Sequence, residues 1–383
     1  MIPVKPAAAI QMVDIKGQYL HIKTAVDAAI QEVIDSTAFI KGRAVQDFAG
    51  ELASYTGAAH VVPCANGTDA LQIALMALDL QPGDEIITPS FTYFATAEVI
   101  ALLGLKPVFV DVDPDTFNIS IAATEKAITA RTRAIVPVHL FGQSADMEPL
   151  LQLAQRHNLA VIEDNAQALG GSYTFSDGRR VHTGTMGHMA STSFFPSKNL
   201  GCYGDGGALF TNDEAFYTVM NMIANHGQQK KYHHERIGCN SRLDTLQAAI
   251  LRVKLPLLDQ YCTARIAVAE QYNTAFAQNA NIKTPYKDPK CTHVYHQYTL
   301  QLADHIDRAQ LQTRLKEAGI PSMIYYPVPC HMQDAMKPFV PAGLQLPVSE
   351  QLSSTVLSLP IHTEMDEEMI QYISALVNQY TQS

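Results

Sequence analysis

Short apolar runs rich in β-branched residues alternate with stretches of helical periodicity along the first two-thirds of the chain. The apolar runs are residues 60–65, 84–90, 107–113, 133–141 and 159–167, and the helical stretches are residues 69–80, 94–105 and 146–157. This alternation is typical of parallel strands joined by crossover helices. Two further runs, residues 189–197 and 206–212, have no long helix between them. We therefore predict an α/β fold whose mostly parallel sheet ends in closely connected strands.

The character of the sequence changes after a long helical stretch at residues 245–276. Pro256 lies within this stretch and lacks the backbone N–H that a helix needs, so we expect it to kink or divide the helix. The elements predicted beyond Asn279 are a strand at 293–302 and helices at 308–319 and 366–380. The pattern predicts a large domain over residues 1–256 and a smaller α+β domain over residues 257–383.

Composition narrows the class of protein. The 383 residues are 47% hydrophobic and 17% charged, which is typical of a folded globular chain. The net charge of −10, without a basic cluster, argues against nucleic acid and anionic membranes as partners. The six cysteines form no C-x-x-C pair, and no apolar stretch reaches the roughly 20 residues of a membrane span or forms a signal peptide. We expect a cytoplasmic protein with reduced cysteines.

Several motifs of common enzyme classes are missing. There is no P-loop, and no G-x-G-x-x-G follows the first strand, since the glycine-rich residues 201–207 lie between late strands. Neither G-x-S-x-G nor H-E-x-x-H occurs. The histidine pairs at 233–234 and at 293 and 296 lack the acids or cysteines of a metal site, so we expect no metal.

The turn from the first strand into its helix has the chemistry of a phosphate site. Asn66-Gly67-Thr68-Asp69 lies at this junction. Unpaired N–H groups of a first helical turn attract anions, and Thr68 adds a hydroxyl. An ordinary Asn or Thr helix cap is the alternative interpretation.

Two charged residues follow other apolar runs. Within the run at 159–167, Asp164 comes at the carboxyl end of the apolar strand, at the sheet edge where ligands of α/β proteins bind, although it is also suited to cap the next turn. Lys198 follows an aromatic and apolar run, which suits an amine of lowered pKa for Schiff-base chemistry, although a surface lysine is the alternative interpretation when this residue is taken alone. Together with the phosphate turn, these are the parts that pyridoxal phosphate requires. Tyr93 is placed to stack on the ring, and Ser193 to give the phosphate a second hydroxyl.

At these residues the chain resembles the DegT/DnrJ/EryC1/StrS family of sugar aminotransferases. The resemblance extends from about Ile15 to the C-terminus, and its motifs are CANGTDAL, PSFTY, IEDNAQ, TSFFPSKNLGCYGDGGA and GCNSRLDTLQAAIL. It implies pyridoxal phosphate as cofactor and the type I fold of aspartate aminotransferase, with a large domain and a smaller C-terminal one. Within the family, residues 225–234 and 240–242 resemble the transaminases that act on UDP-2-acetamido-2-deoxy-3-oxo-glucuronate.

The resemblance implies a role for each candidate residue. Lys198 would be joined covalently to the cofactor and Asp164 would face its ring nitrogen. The other implied cofactor contacts are Gly67, Thr68 and Ser193 to the phosphate, and Tyr93 and Gln167 to the ring. Asn240 would reach the phosphate of the neighbouring subunit's cofactor, which implies a homodimer with its active sites at the subunit interface. The implied substrate contacts are Phe39, Ser197, Arg242, Tyr325 and Tyr326, with the Arg242 fork suited to a uronate carboxylate.

Four positions depart from the pattern of the relatives. Phe39 stands in place of a tyrosine, Thr37 in place of a glycine, Tyr325 in place of a histidine and Asn165 in place of a small residue. None of these positions bears on the cofactor chemistry. The departures therefore concern which sugar is bound.

The implied reaction moves an amino group from L-glutamate to the C3 keto group of a nucleotide sugar used for a surface polysaccharide of the O-antigen kind. A UDP- or dTDP-linked 3-keto or 4-keto 6-deoxyhexose is the alternative substrate. A related branch dehydrates sugars but has histidine in place of Lys198. An oxidoreductase would need the missing dinucleotide motif, and a regulatory protein that only binds the cofactor would have to explain both Lys198 and Asp164.

Overall fold

A computed structural model describes residues 4–382. The helices are α1 (Ile15–Ser36), α2 (Arg43–Thr56), α3 (Gly67–Met76), α4 (Ala95–Leu102), α5 (Ile121–Ala127), α6 (Met147–His157), α7 (Glu214–Ile223), α8 (Thr245–Lys254), α9 (Leu258–Phe276), α10 (Arg308–Glu317), α11 (Pro347–Thr355) and α12 (Glu367–Gln382). In this part of the chain, no helix is long and apolar enough to span a bilayer.

The strands form one large sheet and three small ones. They are β1 (His60–Cys64), β2 (Glu85–Pro89), β3 (Lys106–Val110), β4 (Thr132–Ile135), β5 (Ala160–Asp164), β6 (Ser172–Thr174), β7 (Arg180–His182), β8 (Met189–Ser193), β9 (Gly207–Thr211), β10 (Gln228–Lys230), β11 (His233–His234), β12 (Ile282–Lys283), β13 (Cys291–Thr292), β14 (Tyr298–Leu302) and β15 (Val356–Leu359). The seven-stranded sheet has the order β1-β9-β8-β5-β4-β2-β3. Its pairs are parallel from β3 to β8, whereas β9 runs antiparallel to both neighbours. The mostly parallel sheet with closely connected last strands is confirmed.

The alternation of apolar and helical segments explains this layer architecture. Strand β2 is buried along its whole length, as expected for a strand covered by helices on both faces. Helix α6 buries Met147, Leu150, Leu153 and Ala154, a spacing that lines one face of a helix. Helix α6 therefore covers the sheet with a single apolar stripe.

Prolines end two predicted strands earlier than expected. The run at 133–141 forms β4 only as far as Ile135, and the run at 189–197 forms β8 only as far as Ser193. Pro137 and Pro196 follow these ends and have no N–H to donate to a neighbouring strand. Pro256 has the predicted effect, because a short 3₁₀ turn at Leu255–Leu257 divides α8 from α9.

The C-terminal part has its own apolar cluster. Helices α9, α10 and α12 pack there against β14 and β15, with Tyr272, Leu315 and Ile373 almost fully buried. Ile10 from the N-terminal segment joins the same cluster. The start of α9, through Leu258 and Cys262, belongs instead to a cluster with β8 and β9. The domain boundary at residues 256 and 257 stays a prediction.

Candidate active site

The carboxyl ends of several parallel strands surround a cavity of about 600 Å³. This is the edge at which ligands of open α/β sheets bind. Most of the predicted site residues line this cavity, namely Gly67, Thr68, Tyr93, Asp164, Gln167, Ser193, Ser197, Lys198, Tyr325 and Tyr326. The fold thus brings together residues that are widely separated along the chain.

The turn into α3 combines a helix cap with an open anion site. The Asn66 side chain accepts a hydrogen bond from the Asp69 amide at 2.8 Å, so the capping alternative applies to Asn66. Thr68 remains on the cavity wall beside the first turn of the helix. A Cβ on Gly67 would lie 2.7 Å from Cβ of Ser193, which explains why glycine is needed where the two segments approach.

Asp164 is a buried carboxylate with only part of its hydrogen-bonding capacity used. Its side chain accepts from Thr96 Oγ1 at 2.8 Å and from the Ala166 amide at 3.2 Å. Burial raises the pKa of Asp164, although these donors and the nearby charge of Lys198 oppose the shift. The carboxylate therefore favours a cationic partner in the cavity.

Lys198 lies in a turn beyond β8 rather than at the strand end, and its amide donates to the Phe195 carbonyl at 2.8 Å. Burial lowers the pKa of the Lys198 amine to about 8, with the Asp164 carboxylate acting in the opposite direction. Within residues 4–382 the structure gives this amine no hydrogen-bond partner. At pH 7, about one-tenth of an amine with this pKa is unprotonated and nucleophilic, far more than for an ordinary lysine.

Gln167 is held on both sides. Its Oε1 accepts from the Phe141 amide at 2.9 Å, and its Nε2 donates to the Tyr326 hydroxyl at 3.0 Å. The Phe141 and Tyr326 rings stack with centroids 6.4 Å apart. These contacts fix Gln167 on the cavity wall and link Tyr326 of the C-terminal part to the large sheet.

Three predicted residues lie outside this cavity. Arg242 lines a separate cavity of about 520 Å³, Asn240 is exposed, and Phe39 is 43% exposed. A single chain does not bring them to Lys198. Their predicted roles therefore depend on a second chain.

The sequence did not identify several polar residues that contribute to the site. Thr96 holds Asp164, and no motif marked it because it lies inside the predicted helix at residues 94–105. His296 and Gln297 line the cavity, although the sequence marked His296 only as one of a histidine pair that lacks the other ligands of a metal site. Glu163, next to Asp164, accepts from Nε2 of His139 at 2.7 Å, and both residues are completely buried. An acid within an apolar strand was the only signal for Glu163.

The residues present fit pyridoxal phosphate. Lys198 supplies an amine of lowered pKa, and Asp164 supplies acceptor capacity for a protonated ring nitrogen. Gly67 allows close approach of the backbone at the start of α3, where Thr68 and Ser193 offer hydroxyl groups. The phosphate, ring and aldehyde of the cofactor thus each have a suitable partner in one cavity.

This fold and site define a pyridoxal-phosphate-dependent aminotransferase of fold type I. The chain belongs to the DegT/DnrJ/EryC1/StrS aminotransferase family, whose model matches residues 21–378. It is 46% identical over 366 residues to UDP-2-acetamido-2-deoxy-3-oxo-D-glucuronate aminotransferase of Pseudomonas aeruginosa, covering 96% of this chain and 99% of that protein. It is 43% identical over 370 residues to UDP-N-acetyl-3-dehydro-alpha-D-glucosamine 3-aminotransferase of Acidithiobacillus ferrooxidans, covering 96% and 97%.

Solved structures lead to the same class. DesV of S. venezuelae, solved with a ketimine intermediate, has a TM-score of 0.93 and 38% identity, covering 98% of this chain and all of that chain. A more distant relative was solved with the pyridoxamine phosphate form of the cofactor. The predicted family, fold class, enzyme class and cofactor are confirmed.

Proposed function

We propose that this enzyme transfers an amino group from L-glutamate to the C3 keto carbon of UDP-2-acetamido-2-deoxy-3-oxo-glucuronate. The observation that carries the chemistry is the single cavity lined by Lys198, Asp164 and the phosphate turn at Asn66–Asp69. Support for the sugar comes from two relatives above 40% identity whose names specify UDP-linked 3-keto sugars. The proposed product is a UDP-linked 3-amino sugar for a surface polysaccharide of the O-antigen kind, made in the cytoplasm.

The cavity residues divide the binding of the cofactor among them. When bound, pyridoxal phosphate supplies an electrophilic carbon for amine exchange and a ring that accepts electrons. Lys198 would hold it covalently, and the Gly67 amide, Thr68 and Ser193 would hold its phosphate. Tyr93 would cover the ring face and Gln167 would contact the ring from its fixed position on the wall.

Lys198 would move the proton in both halves of the reaction. Once displaced by the amino donor, its free amine takes the proton from Cα of the donor and acts as a general base. The same side chain would then act as a general acid and deliver that proton to C4′ of the cofactor instead of back to Cα, and the second half of the reaction would use the two roles in reverse. A pKa of about 8 suits both steps, because the charged and neutral forms of the amine are both populated near neutral pH.

Asp164 would keep the ring nitrogen protonated. Burial makes an unpaired charge at Asp164 costly, so the carboxylate is stabilised when it accepts a hydrogen bond from a cationic ring. Thr96 and the Ala166 amide hold the carboxylate in one orientation. The Asp164 carboxylate is therefore already oriented toward the cavity before the cofactor binds.

The residues outside the cavity are proposed to act across a homodimer interface. Asn240 would contact the phosphate of the cofactor in the neighbouring subunit. Arg242 and Phe39 would contact the sugar nucleotide there, whereas Ser197, Tyr325 and Tyr326 would contact it from the cavity of their own chain. Arg242 offers two parallel N–H donors to the uronate carboxylate.

Absorbance and product analysis test the proposed reaction. The purified holoenzyme is expected to be yellow, to bleach with L-glutamate alone and to regain its colour with 2-oxoglutarate. Mass spectrometry after incubation with a panel of 3-keto and 4-keto UDP- and dTDP-sugars should detect the amino sugar with the UDP-linked 3-keto uronate. Preferential conversion of a dTDP-linked 6-deoxyhexose, or colour that does not respond to glutamate, would contradict the proposal.

Arg242→Ala tests the proposed carboxylate contact. The variant is expected to lose most turnover of the uronate, since it leaves that carboxylate without its charge-assisted hydrogen bonds. Full turnover of the 3-keto uronate by this variant would refute the role of Arg242.

A further inference from the structure

Two segments far apart in the sequence meet beside β1. Residues 37–42 connect α1 to α2, and residues 240–244 lead into α8, which begins at Thr245. The Thr245 amide donates to the Phe39 carbonyl at 3.0 Å, and the Gly42 amide donates to Thr245 Oγ1 at 3.1 Å. Ile40 and Asp244 form an antiparallel bridge between the same segments. This pairing brings Lys41 and Arg242 to the wall of one cavity.

The cavity that they line, called here the cationic cavity, has an unusual charge balance. It has a volume of about 520 Å³, and neither Asp nor Glu is among its described lining residues, although the chain carries a net charge of −10. Its polar lining residues besides Lys41 and Arg242 include Asn221, Asn225 and Ser241. Such a lining suits an anionic ligand.

Both acids of α2, the helix that follows Lys41, are already engaged. Asp47 pairs with Arg43 and with Arg252, and Glu51 pairs with Arg252. Within residues 4–382, neither Lys41 nor Arg242 forms an ion pair. Burial and the adjacent charge of Arg242 lower the pKa of Lys41. Two cations that repel each other would be stabilised by a shared anion.

We propose that Lys41 and Arg242 together form the site that binds the anionic part of the nucleotide sugar, either its sugar carboxylate or its diphosphate. This inference rests on the proposed function and adds Lys41 to it. Arg242 gives a planar fork and Lys41 a mobile point charge, a combination suited to an anion with several oxygens. Lys41 therefore contributes to substrate selection rather than to the chemical step.

The position of the cationic cavity indicates which active site it serves. The Ala65 amide donates to Ser241 Oγ at 3.0 Å, so the turn after β1 separates the two cavities of one chain. Asn240, proposed to serve the cofactor of the neighbouring subunit, is only two residues from Arg242. The cationic cavity would accordingly bind the anionic end of a substrate held in the neighbouring subunit.

Direct binding to the holoenzyme tests the site without requiring turnover. The probes are UDP-glucuronate and UDP-glucose, which share the diphosphate but differ in the sugar carboxylate. Lys41→Asn removes the charge and suits the backbone, because Lys41 has a φ of 54° and asparagine tolerates that region. Arg43→Asn is the matched control, since Arg43 is a nearby cation whose side chain is 91% exposed and does not line the cavity.

Calorimetry should show about tenfold weaker binding of at least one probe to Lys41→Asn. Lys41→Arg should retain binding, and Arg43→Asn should stay within about twofold of the parent protein. Loss with UDP-glucuronate alone identifies the carboxylate as the anion, and equal loss with both probes identifies the diphosphate. Unchanged binding of both probes to Lys41→Asn, or no binding of either probe by the parent protein, would overturn the inference. Turnover of keto sugars by the parent protein tests the proposed function separately.

Discussion

Glu163 and Asp164 are consecutive acids at the end of β5, yet their surroundings are opposite. Alternation along a strand directs their side chains to opposite faces of the sheet. Glu163 is 0% exposed and its hydrogen-bonding capacity is filled, because it accepts from His139 Nε2 at 2.7 Å and from the amides of Gly184, Met186 and Gly187 at 2.8, 2.7 and 2.6 Å. Asp164 is 5% exposed, and among residues 4–382 its side chain accepts only from Thr96 and the Ala166 amide.

The difference separates a structural acid from a functional one. The Ala145 amide donates to Nδ1 of His139, so Nε2 carries the ring proton that Glu163 accepts. Glu163 thus ties β5 to two loops beside the site and has no capacity left for a ligand. Asp164 keeps part of its capacity free toward the cavity. Burial alone does not mark a functional carboxylate, whereas burial with unused acceptors does.

Asp164→Asn should have the largest effect. The change removes the charge that faces the cofactor ring, and we expect kcat to fall by about a hundredfold to a thousandfold. Steady-state kinetics of the holoenzyme measures this loss. Glu163→Gln is the neighbouring comparison, and a loss of the same size in its correctly folded fraction would contradict the division of roles.

The stability of the Asp164→Asn apoprotein tests whether Asp164, unlike Glu163, is unfavourable for folding when no cofactor is bound. Burial raises the pKa of Asp164 in the folded protein above 3.8, so the protonated side chain adds to the free energy of unfolding. This stabilisation is complete below pH 3.8 and is lost as the pH rises through the pKa that Asp164 has in the folded protein. The ionised form of this side chain is therefore less favourable for the stability of the apoprotein than the protonated form. Asparagine should leave the urea midpoint unchanged or raise it, and a lower midpoint would contradict this assignment.

Glu163→Gln should act mainly on stability. It removes the charge that four donors share, and the glutamine NH₂ would face other N–H groups, so we expect a loss of about 3 kcal/mol in the free energy of unfolding. Urea denaturation measures the loss. The control is Glu125→Gln, because Glu125 forms an exposed ion pair with Arg156 and its change should cost less than about 1 kcal/mol. Similar losses in the two variants would remove the structural role of Glu163.

The lowered pKa of Lys198 should appear as a pH dependence of cofactor uptake. Only the neutral amine is nucleophilic, so the rate at which apoprotein combines with pyridoxal phosphate should rise with pH and level off above about 8. Stopped-flow absorbance gives this profile. In Asp164→Asn the opposing carboxylate is gone, and the inflection should move to lower pH. A rate that continues to rise toward pH 10 would indicate an ordinary lysine.

Thr96→Val should have the smallest effect of the series. Valine keeps the shape but removes one of the two donors to Asp164, so the pKa of Asp164 should rise and kcat/KM should fall about fivefold to tenfold. The acid limb of the pH–rate profile should move to higher pH. Thr96→Ser retains the hydroxyl and should behave like the parent enzyme, and equal losses in the two variants would point to packing instead.

The sequence alone predicted the features that depend on a few neighbouring residues. The seven apolar runs predicted the seven strands of the large sheet, and the ends of β1 and β5 marked the Asn66–Asp69 turn and Asp164. Lys198 was identified by the apolar run before it, although Pro196 ends that strand earlier than predicted. Strand and helix periods, proline chemistry and turn residues act over a few neighbouring residues, so they can be recognised along the chain.

Only the tertiary structure decided which acid keeps unused acceptors and which cations share a cavity. Thr96 and Asp164 are 68 residues apart, and the segments of Lys41 and Arg242 are joined by bonds that span about 200 residues. Such contacts depend on the packing of whole layers, which leaves no period or motif in the sequence. The family resemblance placed Asn240 and Arg242 in the site, whereas the fold of one chain places both outside the Lys198 cavity. Local chemistry therefore predicts the elements and the reactive groups, and packing determines their partners.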